Sequence, residues 1–141
     1  MKKLALACPL AFVALALLIP AIGSAGPTAY APRNCTKPAV EPKTIYIACG
    51  DGNFYVKVEH WSFFNGREAG GTGKALANDC VPDCADGEFH AYDVKVHLTK
   101  VRTKSCGGKR VPLFQKIEVK FKGGQPDGLD SDEKFDLYCV P

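Results

Sequence analysis

The chain has 141 residues, of which 18 are Lys or Arg and 15 are Asp or Glu, so its formal net charge is +3. This length fits one domain with a modest core, and so small a charge excess gives no support for nucleic acid or a membrane surface as a partner. Two of the lysines, Lys2 and Lys3, lie in a predicted targeting segment, so the rest of the chain is closer to neutral. We therefore predict no nucleic-acid partner.

Residues 1–25 have the pattern of an export signal: a basic start, a long apolar stretch and small residues up to Ala25. We expect cleavage after Ala25 and secretion of the remainder. A membrane anchor is the rival interpretation, but Pro9 and Pro20 leave an uninterrupted apolar run about half as long as the roughly 20 residues that a spanning helix needs. A lipoprotein signal ending at Cys8 would have too short an apolar region for export. The prediction is a secreted protein without a transmembrane segment after processing.

Beyond the signal, the chain contains an even number of cysteines, which are Cys35, Cys49, Cys80, Cys84, Cys106 and Cys139. In a short exported chain this number predicts three disulfides, although six cysteines allow about 15 connectivities. Cys106 and Cys139 flank the last two strand-like segments, and we predict that they pair. A zinc site at Cys80 and Cys84 is the rival, but no second pair of ligands with suitable spacing accompanies them. We predict no metal.

Residues 26–42 contain four prolines and predict an extended, poorly packed segment held at Cys35. Residues 43–141 form the predicted single β domain. Its strand candidates span residues 43–49, 53–64, 89–102, 111–122 and 135–140. The second, third and fourth alternate apolar and charged side chains with a period of two, which is typical of half-buried antiparallel strands. Residues 50–52 predict a tight turn that joins the first two strands into a hairpin.

These elements predict an all-β fold, a small disulfide-stabilised antiparallel sandwich or partly open barrel of about five to seven strands. The glycine-rich residues 70–74 indicate a flexible loop, and a turn of helix within residues 68–78 is disfavoured by those glycines. Residues 70–74 also partly match a phosphate-binding loop, but Glu68 stands at the first glycine position and Ala75 replaces the hydroxyl that holds magnesium. No cofactor is therefore predicted.

No complete set of catalytic residues is visible in the sequence. His60 and Ser62 lie two positions apart on one predicted strand and could face the same side, but no motif supplies an acid to orient the histidine. The acidic residues 127–133 match no calcium-binding pattern and predict a solvated turn between the last two strands. We assign no catalytic residue.

Basic residues are concentrated between Asp93 and Lys122. Alternation on the two strands of this region predicts that its cations gather on one solvent-facing side of the sheet. The candidate binding residues are Lys95, Lys100, Arg102, Lys116, Lys120 and Lys122. Lysines of this kind also serve to keep a surface soluble and to protect strand edges, and that interpretation stays open beside anion binding.

Four spaced elements resemble a family of small secreted proteins of actinobacteria: Ile47-Ala-Cys-Gly-Asp-Gly-Asn53, Trp61, Ala69-Gly-Gly-Thr-Gly73 and Asn78-Asp-Cys-Val-Pro-Asp-Cys-Ala-Asp-Gly87. The resemblance covers about residues 43–122. It implies an exported protein of a Gram-positive-type cell envelope without an assigned activity, so it carries over no site residues. Phe63 and Phe64 stand where the family resemblance leads us to expect a second tryptophan.

Two hypotheses follow from the sequence. The first is a secreted, non-catalytic binding or cell-envelope-associated module whose basic sheet face meets an anionic envelope polymer or an acidic protein surface. The alternative is an exported hydrolase with an unrecognised site near Asp51, His60 or the Asp79–Glu88 region. A concave pocket with converging titratable groups would favour the hydrolase, whereas a flat or grooved face would favour the module.

Overall fold

The computed structural model describes residues 28–141, so the predicted signal at residues 1–25 lies outside the described residues. Eight strands and no helix are present in the described part of the chain. They are β1 (Ala31–Pro32), β2 (Pro38–Ala39), β3 (Thr44–Tyr46), β4 (Phe54–Phe64), β5 (Ala69–Asn78), β6 (Phe89–Cys106), β7 (Lys109–Phe121) and β8 (Asp132–Asp136). Between Thr28 and Pro141 no helix is long and apolar enough to cross a membrane.

The strands β3 to β8 form one antiparallel sheet in chain order, and β1 pairs with β2 separately. Hairpins therefore connect all neighbours in the main sheet, including the predicted hairpin of β3 and β4 around residues 50–52. The predicted all-β, antiparallel and disulfide-stabilised class is confirmed. The main sheet remains open, because its two edge strands β3 and β8 do not pair with each other.

The glycine-rich segment is a central strand, and its prediction as a flexible loop was wrong. Residues 69–78 form β5, which pairs along its whole length with β6 and, across two register shifts, with β4. Ladder hydrogen bonds on both sides outweigh the low strand propensity of glycine. A Cβ atom on Gly73 would lie 2.0 Å from the carbonyl oxygen of Lys57, so the close approach of the two backbones requires glycine here.

Apolar side chains from one face of the sheet form the core, as the period-two alternation predicts. They include Ile45, Val56, Val58, Val94, Val96, Leu98, Ile117, Val119 and Phe121. The rings of Phe54 on β4 and Phe135 on β8 lie 5.4 Å apart, which shows that the sheet is strongly curved. In a flat sheet four strand spacings would separate these strands by about 19 Å.

The proline-rich lead-in is packed, so its prediction as a poorly packed segment was wrong. Ala29, Ala31 and Pro32 are fully buried, and Ala29 and Ala31 belong to the main core. Tyr30 donates its amide hydrogen to Pro112 and accepts one from Phe114. Small side chains allow this segment to lie against the open side of the curved sheet, so the core includes residues that strand alternation alone does not identify.

Three disulfides join Cys35 to Cys49, Cys80 to Cys84 and Cys106 to Cys139. The predicted Cys106–Cys139 pairing is confirmed. The rival zinc ligands Cys80 and Cys84 are bonded to each other instead. The strand predicted at residues 135–140 lies earlier, at Asp132–Asp136, because this edge strand is largely charged and its pattern is weakly apolar.

Candidate functional site

The solvent-facing side of the main sheet, here called the outer face, carries charges of both signs. Opposite charges lie on neighbouring strands and form the ion pairs Lys74–Asp93 (2.7 Å), Lys116–Asp136 (2.5 Å), Lys120–Asp132 (3.1 Å) and Lys134–Glu118 (3.6 Å). The hydrogen bond from Lys120 to Asp132 is the main cause that raises the pKa of Lys120. In a separate pair, the hydrogen bond from Lys74 is the main cause that lowers the pKa of Asp93. Exposed pairs contribute little stability, but they neutralise most of this face.

The structure brings three of the six predicted binding residues together on the outer face. Lys95 lies directly across from Lys120, and Lys116 lies four positions from Lys120 on the same side of β7. Asp136 and Asp132 of β8 pair with Lys116 and Lys120, whereas Lys95 forms no ion pair within residues 28–141. The sequence interpretation did not foresee these pairs because it considered only residues 93–122. Lys122 follows the end of β7, where its amide donates to the carbonyl of Asp93.

The other two predicted residues, Lys100 and Arg102, lie on the far half of the β6–β7 hairpin. This part, residues 99–115, is called the distal hairpin below. It extends beyond both neighbours, because β5 pairs with β6 only up to Leu98 and β8 pairs with β7 only from Lys116. Its exposed basic residues are Lys100, Arg102, Lys104, Lys109 and Arg110, and it contains no acidic residue. None of these five cations forms an ion pair with another residue in the range 28–141.

The distal hairpin is held rigidly although it projects. Its tip is the pair Gly107 and Gly108, whose φ angles of 57° and 76° favour glycine. Cys106 next to the tip is bonded to Cys139, and the amide of Gly107 donates to the carbonyl of Val140. At the base, Leu113 pairs with the N-terminal segment at Tyr30. The five cations are therefore presented by a fixed backbone rather than by a mobile loop.

The cross-strand register places three of the cations on one side of the distal hairpin. Arg102 and Lys104 are two positions apart on β6, and Lys109 pairs with Cys106, the next residue on that side. Alternate residues of a strand are about 6.6 Å apart, so the three charges form a row along the hairpin. Such a row can contact several charges of an extended ligand at once.

The residues proposed for a hydrolase do not converge. Asp51 accepts a hydrogen bond from the amide of Asn53 in the β3–β4 turn, which lowers the pKa of Asp51. His60 lies six residues along β4 from Phe54, and thus about 20 Å from the strand end next to that turn. The turn and His60 are therefore separate surface features.

Asp79 has a different histidine partner, His90 on β6. One carboxylate oxygen of Asp79 lies 3.0 Å from Nε2 of His90, and the other accepts the amide hydrogens of Val81 and Glu88. These hydrogen bonds lower the pKa of Asp79, and the bond with His90 has the largest effect. A cavity of ≈ 420 Å³ adjoins the pair, but the residues that line it include no serine, threonine or cysteine. The pair closes the Asp79–Glu88 loop and has no nucleophile beside it in the described structure.

A shallow groove of ≈ 500 Å³ crosses the outer face over β4, β5, β6 and β7. The side chains and backbone that line it belong to Ser62, Phe63, Glu68, Gly70, Gly71, Thr72, Lys95, Val96, His97, Glu118 and Lys120. Sequence reasoning missed it because two register shifts in the pairing of β4 with β5 determine which side chains of β4 face outward. A large aromatic residue opposite a glycine-rich strand is the one signal that could have indicated it.

The distal hairpin and the groove are thus the two candidate binding surfaces in the described part of the chain. Across residues 28–141 no group of three or more His, Cys, Asp or Glu side chains is arranged to hold a metal ion. Comparison with protein-family models, with curated proteins and with solved structures finds no match to this chain.

Proposed function

We propose that the protein is a secreted, non-catalytic module that binds an anionic polymer of the cell envelope through the distal hairpin. One observation carries the proposal: five exposed basic residues and no acidic residue lie between Thr99 and Gln115, without an ion-pair partner among the described residues. Charges that lack a protein partner remain free to attract an anion. On the outer face, by contrast, Lys116 and Lys120 already have carboxylate partners.

Secretion is part of the proposal and rests on two features. Three disulfides occur in a chain of 141 residues, which is typical of proteins that fold in oxidising compartments. The pattern of residues 1–25 is that of an export signal. An origin in an actinobacterial cell envelope is proposed from the family resemblance alone.

The proposed binding is weak and depends on several contacts. Each exposed cation contributes about 0.5–1 kcal/mol, and salt screens it over a Debye length of about 8–10 Å. A row of fixed cations therefore gives useful affinity only for a ligand that presents several negative charges in sequence. This distinguishes a polymer from a small anion, which would contact one or two side chains.

Linear inorganic polyphosphate is the probe that tests the proposal. We expect binding at low ionic strength that weakens steeply toward physiological salt. The triple variant Arg102→Gln, Lys104→Gln and Lys109→Gln should lose affinity by about tenfold or more, because about 0.5 kcal/mol or more is lost with each contact. The matched control is Lys116→Gln, Lys120→Gln and Lys134→Gln, which removes the same number of charges from the outer face and should change the affinity by less than about twofold.

Three outcomes would contradict the proposal. Binding that ignores salt would exclude an electrostatic interaction, and an equal loss in the control variant would return the site to the outer face. The third is preference for poly-L-glutamate over polyphosphate, which would indicate an acidic protein surface as the partner. Circular dichroism of both variants should match that of the parent protein, because all six side chains are exposed or half-buried.

A further inference from the structure

Phe63 forms one wall of the groove on the outer face in an arrangement that leaves its ring accessible. The side chain is 43% exposed. A Cβ atom on Gly70 would lie 2.6 Å from two ring atoms of Phe63, so the ring rests directly on the glycine backbone. The ring centroid also lies 6.3 Å from that of His97, in an edge-to-face arrangement. The aromatic ring is thus fixed in place and partly open to solvent.

Polar groups of both kinds surround this ring. Glu68 and Glu118 provide acceptors, Lys95 and Lys120 provide donors, and Thr72 provides a hydroxyl that does both. Two carboxylates and two ammonium groups balance, so the lining has no net charge apart from His97. His97 itself is 2.9 Å from the carboxylate of Glu68. A polyanion gains little from such a lining, and an apolar ligand would remove water from these polar groups without replacing its hydrogen bonds.

The ligand that fits these features is a neutral ring with many hydroxyl groups. The C–H faces of a pyranose pack on an aromatic ring, and its hydroxyls both donate and accept hydrogen bonds, as the alternating lining requires. The groove volume of ≈ 500 Å³ is within the range of small-ligand sites, about 300–1,000 Å³. We propose that this groove binds a pyranose sugar of a neutral oligosaccharide, with Phe63 as the stacking platform.

This site is separate from the proposed anion site. His97 and Glu118 pair on the outer face, whereas the cation row begins at Arg102, five residues further along β6, and ends at Lys109, nine residues before Glu118 on β7. These separations correspond to about 16 Å and about 30 Å of strand. The two proposals therefore fail or succeed independently, and one rigid hairpin would present both surfaces.

Titration of the isotope-labelled protein with cellotetraose and chitotetraose, followed by amide chemical shifts, tests the sugar site. We expect shifts confined to the amides of Gly70, Thr72 and His97 and their neighbours, with a dissociation constant of about 1 mM. Salt should not change this affinity, unlike that for polyphosphate. No shift at about 10 mM of either sugar would overturn the proposal.

Variants of the aromatic ring locate the site. Phe63→Leu keeps an apolar side chain but removes the ring, and it should weaken sugar binding by about tenfold. Phe89→Leu is the matched control, because Phe89 is similarly exposed, at 45%, but lies outside the groove. Equal weakening by both variants would overturn the proposal, as would full binding by Phe63→Leu, which would leave the ring only a cover for Gly70.

Thr72→Val provides a second measurement if Phe63→Leu does not fold. This change preserves the shape of the side chain and removes only the hydroxyl. It should weaken sugar binding by several-fold and leave polyphosphate binding unchanged. Unchanged sugar affinity in Thr72→Val would count against the proposed lining.

Discussion

Gly73 lies where the backbone of β4 leaves no room for a side chain on β5. A Cβ atom at this position would be 2.0 Å from the carbonyl oxygen of Lys57 and 2.9 Å from Cα of Val58. Both are backbone atoms next to a register shift between Val58 and His60. A side chain could be accommodated only by moving the strands apart, because backbone atoms in a ladder have no alternative rotamer.

We therefore expect Gly73→Ala to lower the free energy of unfolding by roughly 1–3 kcal/mol, the usual range for overpacking. Urea unfolding followed by circular dichroism measures this. Gly124→Ala is the control, because Gly124 has no atom near the added methyl group and no positive φ angle. It should leave stability unchanged or raise it slightly. Equal effects of the two substitutions would show that loss of glycine flexibility, not the close backbone approach, matters.

Single residues also show where sequence reasoning about this molecule reached its limit. A run containing Gly70, Gly71 and Gly73 predicts a loop by propensity, and the pairing partners that make it a strand are distant in the chain. For the same reason the buried Ala29 and Ala31 could not be recognised, because small residues among prolines have no period. Burial of such residues depends on tertiary contacts, which no local pattern encodes.

At the scale of elements, β6 and β7 carry most of what the structure suggests about function. Their alternation was strong enough to predict both strands. The Cys106–Cys139 pairing was predicted because these cysteines flank the last two strand candidates, residues 111–122 and 135–140. Alternation could not predict how far the neighbouring strands, β5 beside β6 and β8 beside β7, extend along them. The sequence therefore grouped Lys95 and Lys116 with Lys100 and Arg102, whereas the lengths of β5 and β8 divide them between the outer face and the distal hairpin.

The Cys106–Cys139 disulfide closes a segment with a sequence separation of 33 residues, whereas Cys80–Cys84 closes one of only 4. Loop-closure entropy predicts stabilisation of about 4 kcal/mol for the first and about 2 kcal/mol for the second. Replacing both cysteines of each pair by alanine should therefore lower the urea midpoint more for Cys106 and Cys139. A larger loss for Cys80 and Cys84 would contradict this order, since it would mean that the Asp79–Glu88 loop supports the sheet.

Taken as a whole, the molecule is an open, curved sheet whose core is completed by a segment outside the sheet. Ala29, Ala31 and Pro32 are fully buried, and Tyr30 exchanges two hydrogen bonds with β7 at Pro112 and Phe114. Val140 likewise donates its amide hydrogen to the carbonyl of Cys35. Tyr30 is thus bonded near the base of the distal hairpin and Val140 at its tip. The proposed anion site depends on this hairpin.

A chain that begins at Gly26, the predicted mature start, should accordingly fold with full stability, whereas one that begins at Arg33 should not. The shorter chain would leave the amide of Phe114 and the carbonyl of Pro112 without partners and would expose part of the core. Each unsatisfied buried group costs about 1–3 kcal/mol, and such losses rival the total stability of a small domain. Urea unfolding and binding of a hydrophobic dye compare the two chains. The intact mass of the exported protein shows separately whether cleavage follows Ala25. Equal urea midpoints of the two chains would contradict the stability prediction, because the sheet would then be stable without the N-terminal segment.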